Sequence, residues 1–289
     1  MLTISNLSKT YANGVHALRG INLEISRGLF GLLGPNGAGK SSLMRTLATL
    51  QTADSGEVRL DDVDVLAEPK RVRQLLGYLP QEFGLYPRID AATLLDHFAC
   101  LKGIEDATER AQSVEALLRL TNLWEVRKQK LGTYSGGMKQ RFGIAQAMLG
   151  NPQLIIVDEP TNGLDPAERR RFLNLLARIG EDAVVILSTH LVADVRELCS
   201  AMAVMDKGRV LAHGEPKAMV ADVDGLVFQR EINANDTENL PEGVVLLSTH
   251  LNAGRTVARV LANDGAPAGF EPAEANLEDV YFSALRNAA

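Results

Sequence analysis

One octapeptide constrains this chain more than any other stretch: Gly34-Pro35-Asn36-Gly37-Ala38-Gly39-Lys40-Ser41. It follows the pattern G-x-x-x-x-G-K-[ST] of a phosphate-binding loop, the Walker A motif. Gly34, Gly37 and Gly39 let the backbone curl so that successive N–H groups point inward at phosphate oxygens. Lys40 brings a point charge for β- and γ-phosphates, and the Ser41 hydroxyl is a Mg²⁺ ligand. The flanks agree. Leu29-Phe30-Gly31-Leu32-Leu33 reads as a short buried strand, and Leu43, Leu47 and Leu50 fall at helical spacing. A helix starting near Lys40 therefore aims its N-terminus at the phosphates. A glycine-rich turn matching by chance would not need strand, loop and helix in that order.

Acids and further N–H donors stand elsewhere in the chain. The apolar run Leu154-Ile155-Ile156-Val157 reads as a fully buried strand ending in Asp158-Glu159-Pro160. Open α/β sheets place ligand groups at the carboxyl ends of such strands. Asp158 is placed to hold Mg²⁺ through water, and Glu159 is a candidate general base for an attacking water. An isolated Asp-Glu would be better read as an exposed strand end. Ser135-Gly136-Gly137-Met138 leads into a helix, and a Ser-Gly-Gly at a helix start offers free N–H groups and positive dipole, a second anion site. It is also an ordinary cap and turn. Val184-Val185-Ile186-Leu187 reads as another buried strand, ending at Ser188-Thr189-His190. Tyr11 sits in a turn-rich loop, where an aromatic either caps a sheet edge or stacks on a flat base, worth roughly 1–3 kcal/mol in nucleic-acid complexes.

With 289 residues the chain can bury a full core in one large domain or two. A net charge of −6 argues against sequence-independent binding to nucleic acid or anionic lipid. Cys100 and Cys199 form no metal-like cluster and fit a reducing compartment. Met1-Leu2-Thr3-Ile4-Ser5 lacks the basic-then-apolar pattern of a secretory signal, and no stretch approaches about 18 uninterrupted apolar residues. Any membrane role must go through a partner.

The remaining elements are placed by periodicity. Strands are expected over residues 1–30, with Ile21, Leu23 and Ile25 alternating with polar residues. A hairpin through Val58, Leu60, Val63 and Val65 follows the Asp54-Ser55-Gly56 turn, then comes a strand over 75–79. Residues from about 91 to 150 read as a helical insertion between two parts of an α/β core. A helix over 167–179 and closing strands over 201–205 and 209–212 complete that core. From about 222 the character changes. Strands over 226–232, 244–251 and 256–261 are separated or followed by Asp236, Glu238, Pro241-Glu242-Gly243 and Asn263-Asp264-Gly265. An amphipathic helix over 277–285 ends the chain. The expected layout is a first domain over 1–220 and an α+β appendage over 221–289, without chemistry of its own but available for regulation or a dimer contact. Val184-Val185-Ile186-Leu187-Ser188-Thr189-His190-Leu191 nearly recurs as Val244-Val245-Leu246-Leu247-Ser248-Thr249-His250-Leu251. We read this as chance similarity between two buried strands, with His250, His16, His97 and His213 as bystanders.

Together, and in this order, these stretches resemble the ATP-binding subunits of ABC transporters, over about residues 2–216. The fold this implies is α/β: a P-loop NTPase core with an antiparallel β subdomain and a helical insertion, plus the small C-terminal α+β appendage. By the same resemblance Tyr11 is the adenine-stacking aromatic, and Gly34, Pro35, Asn36, Gly37, Ala38, Gly39, Lys40, Ser41 and Ser42 form Walker A. Gln81 matches the Q-loop glutamine, and Ser135, Gly136, Gly137 and Met138 the signature motif. Leu154 to Asp158 match Walker B, Glu159 the catalytic glutamate, Leu164-Asp165 the D-loop, and His190 the switch histidine. The signature reads Y-S-G-G-M where L-S-G-G-Q is commoner, and the D-loop N-G-L-D where many members have S-A-L-D. The stretches Gln81-Glu82-Phe83-Gly84-Leu85-Tyr86-Pro87 and Leu277-Glu278-Asp279-Val280-Tyr281 look like the branch serving exporters of drugs, lipids or polysaccharides.

The resemblance implies an ATPase. Lys40, Gln81, Glu159 and His190 are its catalytic set, with Mg²⁺ at Ser41, Gln81 and Asp158. Asp165 and the signature complete the ATP contacts across a head-to-tail dimer. The implied partners are a second copy of the chain, or a paralogous ATPase subunit, and a separate integral membrane permease at the cytoplasmic face of the cell membrane; no nucleic acid is expected. The rival is a soluble ABC-type ATPase that remodels a ribosome or nucleic-acid complex. Such proteins usually join two cassettes or carry coiled coils or zinc-binding cysteines. A non-hydrolysing module would have lost Lys40 or Glu159, and both are present.

Overall fold

The computed structural model describes residues 1–81, 84–161, 164–232 and 243–287. The chain opens with β1 (Leu2–Thr10) and β2 (His16–Ile25), an antiparallel pair, and enters β3 (Gly28–Leu33). Helix α1 (Lys40–Leu47) follows the glycine-rich loop. β4 (Ser55–Leu60) and β5 (Val63–Asp64) then return to the first sheet, whose order is β2-β1-β4-β5. Helix α2 (Pro69–Leu75) feeds β6 (Leu76–Leu79). Next come α3 (Ala91–Leu101), α4 (Ala107–Leu120) and α5 (Gly136–Ala147), then β7 (Leu154–Asp158), α6 (Pro166–Ile179) and β8 (Val184–Thr189). Helix α7 (Val192–Leu198), β9 (Ala201–Asp206), β10 (Arg209–Gly214) and α8 (Pro216–Ala221) close this part. The last elements are β11 (Val227–Ile232), β12 (Val245–Asn252), β13 (Arg255–Leu261), β14 (Glu271–Pro272) and α9 (Leu277–Asn287).

The central sheet has the order β10-β9-β3-β8-β7-β6, parallel except at β10. Every residue of β7 and of β8 is buried. That is the pattern of parallel strands covered on both faces, and it explains their unbroken apolar runs. In β2, by contrast, Ile21, Leu23 and Ile25 are buried while Asn22 and Glu24 are exposed, so the alternation in sequence is that of a one-faced antiparallel strand. One core lies between the two sheets around α1, with Ile4, Leu23, Met44, Ile156 and Ile186. A second covers the other face of the central sheet, with Val157, Leu187, Phe172 and Leu176. A third belongs to α3, α4 and α5, with Leu95, Leu118 and Phe142. Helix α5 is shared: Phe142 and Ala145 pack in the helical core and Ile144 in the central one. The helical insertion is thereby fastened to the sheet through the helix that starts at Ser135-Gly136-Gly137.

Three helices escape the sequence reading. α2, α7 and α8 have 7, 7 and 6 residues, too short for a 3.6-residue period to repeat. Pro69 and Pro216, in the first turns of α2 and α8, are the signals that mark two of them. The near-repeat needs correction as well. β8 is buried throughout, but in β12 only Leu247 is buried, and His250 and Leu251 are exposed. β12 is an edge strand of a third sheet, ordered β12-β13-β11-β14, so the two stretches are not two buried strands. The separators Asp236, Glu238 and Pro241-Glu242, with Glu82-Phe83 and Asn162-Gly163, lie outside the described residues. Among the described residues no helix is long and apolar enough to cross a membrane.

The third sheet is joined to the rest by α9. Leu277, Val280 and Tyr281 pack with Val195, Cys199 and Met202 in the second core, while Phe282 reaches Val227 and Leu247 of the sheet. A buried ion pair locks this joint. Asp279, 1% exposed, accepts from Arg259 Nε at 2.8 Å and Nη2 at 2.7 Å, and from the Asn276 amide at 2.9 Å. Removing one partner of such a pair leaves an uncompensated charge at a cost of about 3–5 kcal/mol. Arg259→Leu is expected to cost the sheet–α9 unit about that much, read as a shifted urea midpoint. An unchanged midpoint would show that the pair contributes nothing.

Candidate nucleotide site

Helix α1 starts where its loop forces it to. Gly39 has φ +105°, and a Cβ there would lie 2.5 Å from the Ala17 carbonyl oxygen, so only glycine fits. No side chain caps α1, which leaves its first N–H groups to the mouth of the loop. Lys40 is 5% exposed and donates to the Gly34 carbonyl at 2.6 Å and the Pro35 carbonyl at 3.1 Å. Its ammonium thus ties the curl together. Burial lowers the Lys40 pKa, and the Glu159 and Asp158 carboxylates oppose that shift.

Asp158 ends β7, is 7% exposed, and stands opposite Ser188 of β8 in the sheet register. Burial pushes its carboxyl up; the Ser188 hydroxyl, Lys40 and Arg45 pull it down, and Glu159 adds to the rise. The next residue leaves the strand abruptly. Glu159 has φ +45°, a left-handed backbone that costs a non-glycine residue about 1–2 kcal/mol, and its N–H donates to the Ser188 carbonyl at 3.0 Å. The turn swings the Glu159 carboxylate toward two side chains from distant parts of the chain. Gln81 Nε2 donates to it at 3.2 Å, and His190 Nδ1 lies 3.5 Å from its other oxygen. β6, β7 and β8 are adjacent in the sheet, so their carboxyl ends deliver Gln81, Glu159 and His190 to one place.

A cleft of about 1150 Å³ joins the loop from Pro35 to Ser42 with Tyr11, Gln81, Glu159 and His190. Asp158 lies buried at the end of its strand and Gly34 serves through its carbonyl. Tyr11 is anchored by its hydroxyl, which donates to Gln51 Oε1 at 3.0 Å and shares a hydrogen bond with Ser42 Oγ at 3.0 Å. His16, expected to be a bystander, lines the same cleft, as do Arg19 and Lys207. The Lys207-Gly208 turn reaches the loop by long-range contacts: the Gly208 amide donates to the Ala38 carbonyl at 2.9 Å, and the Arg19 amide to the Gly208 carbonyl at 2.8 Å. Nothing local in the sequence announces them. The signature stretch and Asp165 do not line this cleft. Ser135 caps α5, its Oγ accepting from the Met138 amide at 3.2 Å, and Asp165 caps α6, accepting from the Ala167 and Glu168 amides at 2.9 Å each.

A glycine-rich loop opening into a helix beside an acidic strand end, on a parallel sheet, defines a P-loop nucleotide-hydrolysing protein. The chain belongs to the ABC transporter family, whose model matches residues 18–162. It is 33% identical over 227 residues to the linearmycin resistance ATP-binding protein LnrL of Bacillus subtilis (strain 168), covering 78% of this chain and 72% of that one. It is 35% identical over 257 residues to the daunorubicin/doxorubicin resistance ATP-binding protein DrrA of Streptomyces peucetius, covering 88% and 76%. A solved dimeric ATP-binding cassette in a post-hydrolysis state, bound to ADP and Pi, matches with a TM-score of 0.68 and 27% identity, covering 74% of this chain and 98% of that one. The chain is an ATP-binding, ATP-hydrolysing subunit of an ABC transporter.

The raised Asp158 pKa has a consequence for stability. A carboxyl whose folded pKa is raised contributes stability below its unfolded pKa and loses it as pH rises through the folded one. Ionisation of Asp158 therefore opposes folding. Asp158→Asn is expected to raise the Tm of the nucleotide-free chain by a few degrees near neutral pH, with the gain shrinking in acid. A lowered or unchanged Tm at neutral pH would refute this.

Proposed function

We propose that this subunit works as a dimer, with a second copy or a paralogous subunit, closing head to tail on two ATP–Mg²⁺ to drive a separate membrane permease from the cytoplasmic face, in the direction of export. The observation that carries the hydrolytic part is the convergence of Gln81, Glu159 and His190 beside the glycine-rich loop. Glu159 is placed to orient and deprotonate a water, Gln81 to hold the Glu159 carboxylate, and His190 to donate to the γ-phosphate as charge develops there. Lys40 and the loop amides hold the phosphates, with Tyr11 at the base.

The residues fit a divalent cation of oxygen preference. No group of three or more His, Cys, Asp or Glu among the described residues could hold a metal, but Mg²⁺ is commonly held by one or two carboxylates and substrate phosphates. Ser41, Gln81 and the buried Asp158 are the protein groups for it, and the burial that disfavours the bare Asp158 charge makes a cation welcome. Bound there, Mg²⁺ would neutralise charge on the β- and γ-phosphates.

What supports the dimer is that the signature and Asp165 stand away from the chain's own cleft. Ser135, Gly136, Gly137 and Met138 form a helix N-terminus, and in this reading they and Asp165 contact a nucleotide bound by another copy. In this reading residues 1–220 are the ATP-binding unit, with a helical subdomain at about 91–150 next to Gln81 that grips the permease. Residues 221–289 are an appendage for regulation or dimer contact. Export rests on the resistance proteins among the relatives. The acidic net charge of −6 disfavours a ribosome- or nucleic-acid-directed role.

Glu159→Gln is expected to bind ATP, to lose about 10²–10⁴-fold in turnover, and to accumulate as an ATP-bound dimer, followed by phosphate release and by light scattering. Unreduced turnover would remove Glu159 from the reaction. Co-purification in mild detergent of a multi-span membrane protein that stimulates turnover is the expected sign of the permease.

A further inference from the structure

Two consecutive side chains on the first turn of α6 reach in different directions. Glu168 is ion-paired with Arg141 of α5, and its second oxygen accepts from Arg171 Nη1 at 2.8 Å. Its carboxylate presses against the signature turn: a Cβ on Gly137 would sit 2.5 Å from Glu168 Oε2. Glycine at 137 is therefore what admits the carboxylate. Arg169 reaches α7, where its Nε donates to Asp194 Oδ1 at 2.8 Å and its Nη2 pairs with the same oxygen. Asp194 is fully buried, and its second oxygen accepts from Thr161 Oγ1 at 2.9 Å. Thr161 lies two residues beyond Glu159, and α7 begins two residues beyond His190. Asp165, the cap of the same α6 turn, stands three residues before Glu168.

We infer that the Glu168–Arg169 turn is a positioning junction between the chain's two functional faces. On one side it fixes the Ser135-Gly136-Gly137 anion site; on the other it fixes the segments that carry Glu159 and His190. The inference rests on the dimeric ATPase reading above. It adds that the signature face offered to a partner copy is held in register with the chain's own cleft by two ion pairs on one rigid helical turn. Partly buried charge pairs of this kind have one good arrangement, so a displacement of the His190 segment is passed through Asp194 and Arg169 to α6, and through Glu168 to α5. Neither Glu168 nor Asp194 lines the nucleotide cleft; both act through other residues.

The experiment compares the full chain with Glu168→Ala, Glu168→Gln, Asp194→Asn and the double variant Glu168→Ala/Asp194→Asn. Two quantities are measured: Kd for ADP–Mg²⁺, which reads the chain's own loop, and kcat for ATP, which needs both faces. Glu168→Ala is expected to hold its ADP affinity within about twofold while kcat falls about tenfold or more. Glu168→Gln, which keeps a hydrogen-bond acceptor for Arg141, is expected to recover part of that loss. The double variant is expected to lose no more than the worse single one, because both ends act through one turn. An unchanged kcat in Glu168→Ala, an ADP affinity that falls in step with kcat, or losses that multiply in the double variant would each overturn the junction. Glu168→Gln carries the same test should the alanine variant fail to fold. A wild-type chain without ATP turnover would overturn the underlying reading, and shows itself before any variant is made.

Discussion

The structure around the cleft depends on one buried ammonium. Lys40 leaves water to clasp the Gly34 and Pro35 carbonyls, and burial lowers its pKa. The carboxylates of Asp158 and Glu159 oppose that shift, and they are there because β7 ends beside the loop that follows β3, with β8 between them. Loop, lysine and acids are thus mutually conditional. The sheet order supplies the proximity, the proximity favours the charge, and the ammonium ties the curl that presents the amides.

This mutual dependence accounts for what the sequence disclosed. The buried strands, the loop and α1 were legible because each has a local signature: unbroken apolar runs for β7 and β8, a fixed glycine spacing, an apolar period after Lys40. Glu159 is legible from its place at a strand end, and Gln81 and His190 from their resemblance to the Q-loop glutamine and the switch histidine; the structure brings both within hydrogen-bonding or ion-pairing reach of Glu159. The rest was written in contacts rather than in pattern. The short helices α2, α7 and α8 are too brief for a period. His16, Arg19 and Lys207 line the cleft where the Lys207-Gly208 turn binds the backbone at Arg19 and Ala38. The second copy of the V-V-L-S-T-H-like stretch misled in the opposite way. Apolar residues made β12 resemble β8, yet β8 is covered on both faces while only Leu247 of β12 is buried.

The hydrophobic cores divide the work differently from the sheets. Helix α5 contributes to the helical core with one face and to the central core with another, so the insertion is not a loosely attached decoration. Helix α9 does the same at the other end, packing against the central body while covering the last sheet. In both places a helix, rather than a linker, carries one part of the chain on another, and a rotation of either part must be accommodated by sliding at packed side chains.

The left-handed backbone at Glu159 bears on how such a chain responds to selection in the laboratory. A glycine would relieve that conformation, and asparagine tolerates it better than glutamate. Screening a library for heat resistance alone would therefore favour replacements at position 159 that, under the proposed role of Glu159, make a tougher protein with an idle cleft. On that proposal durability and turnover are opposed at this one residue, and any stabilised descendant would have to keep its glutamate in spite of the fold.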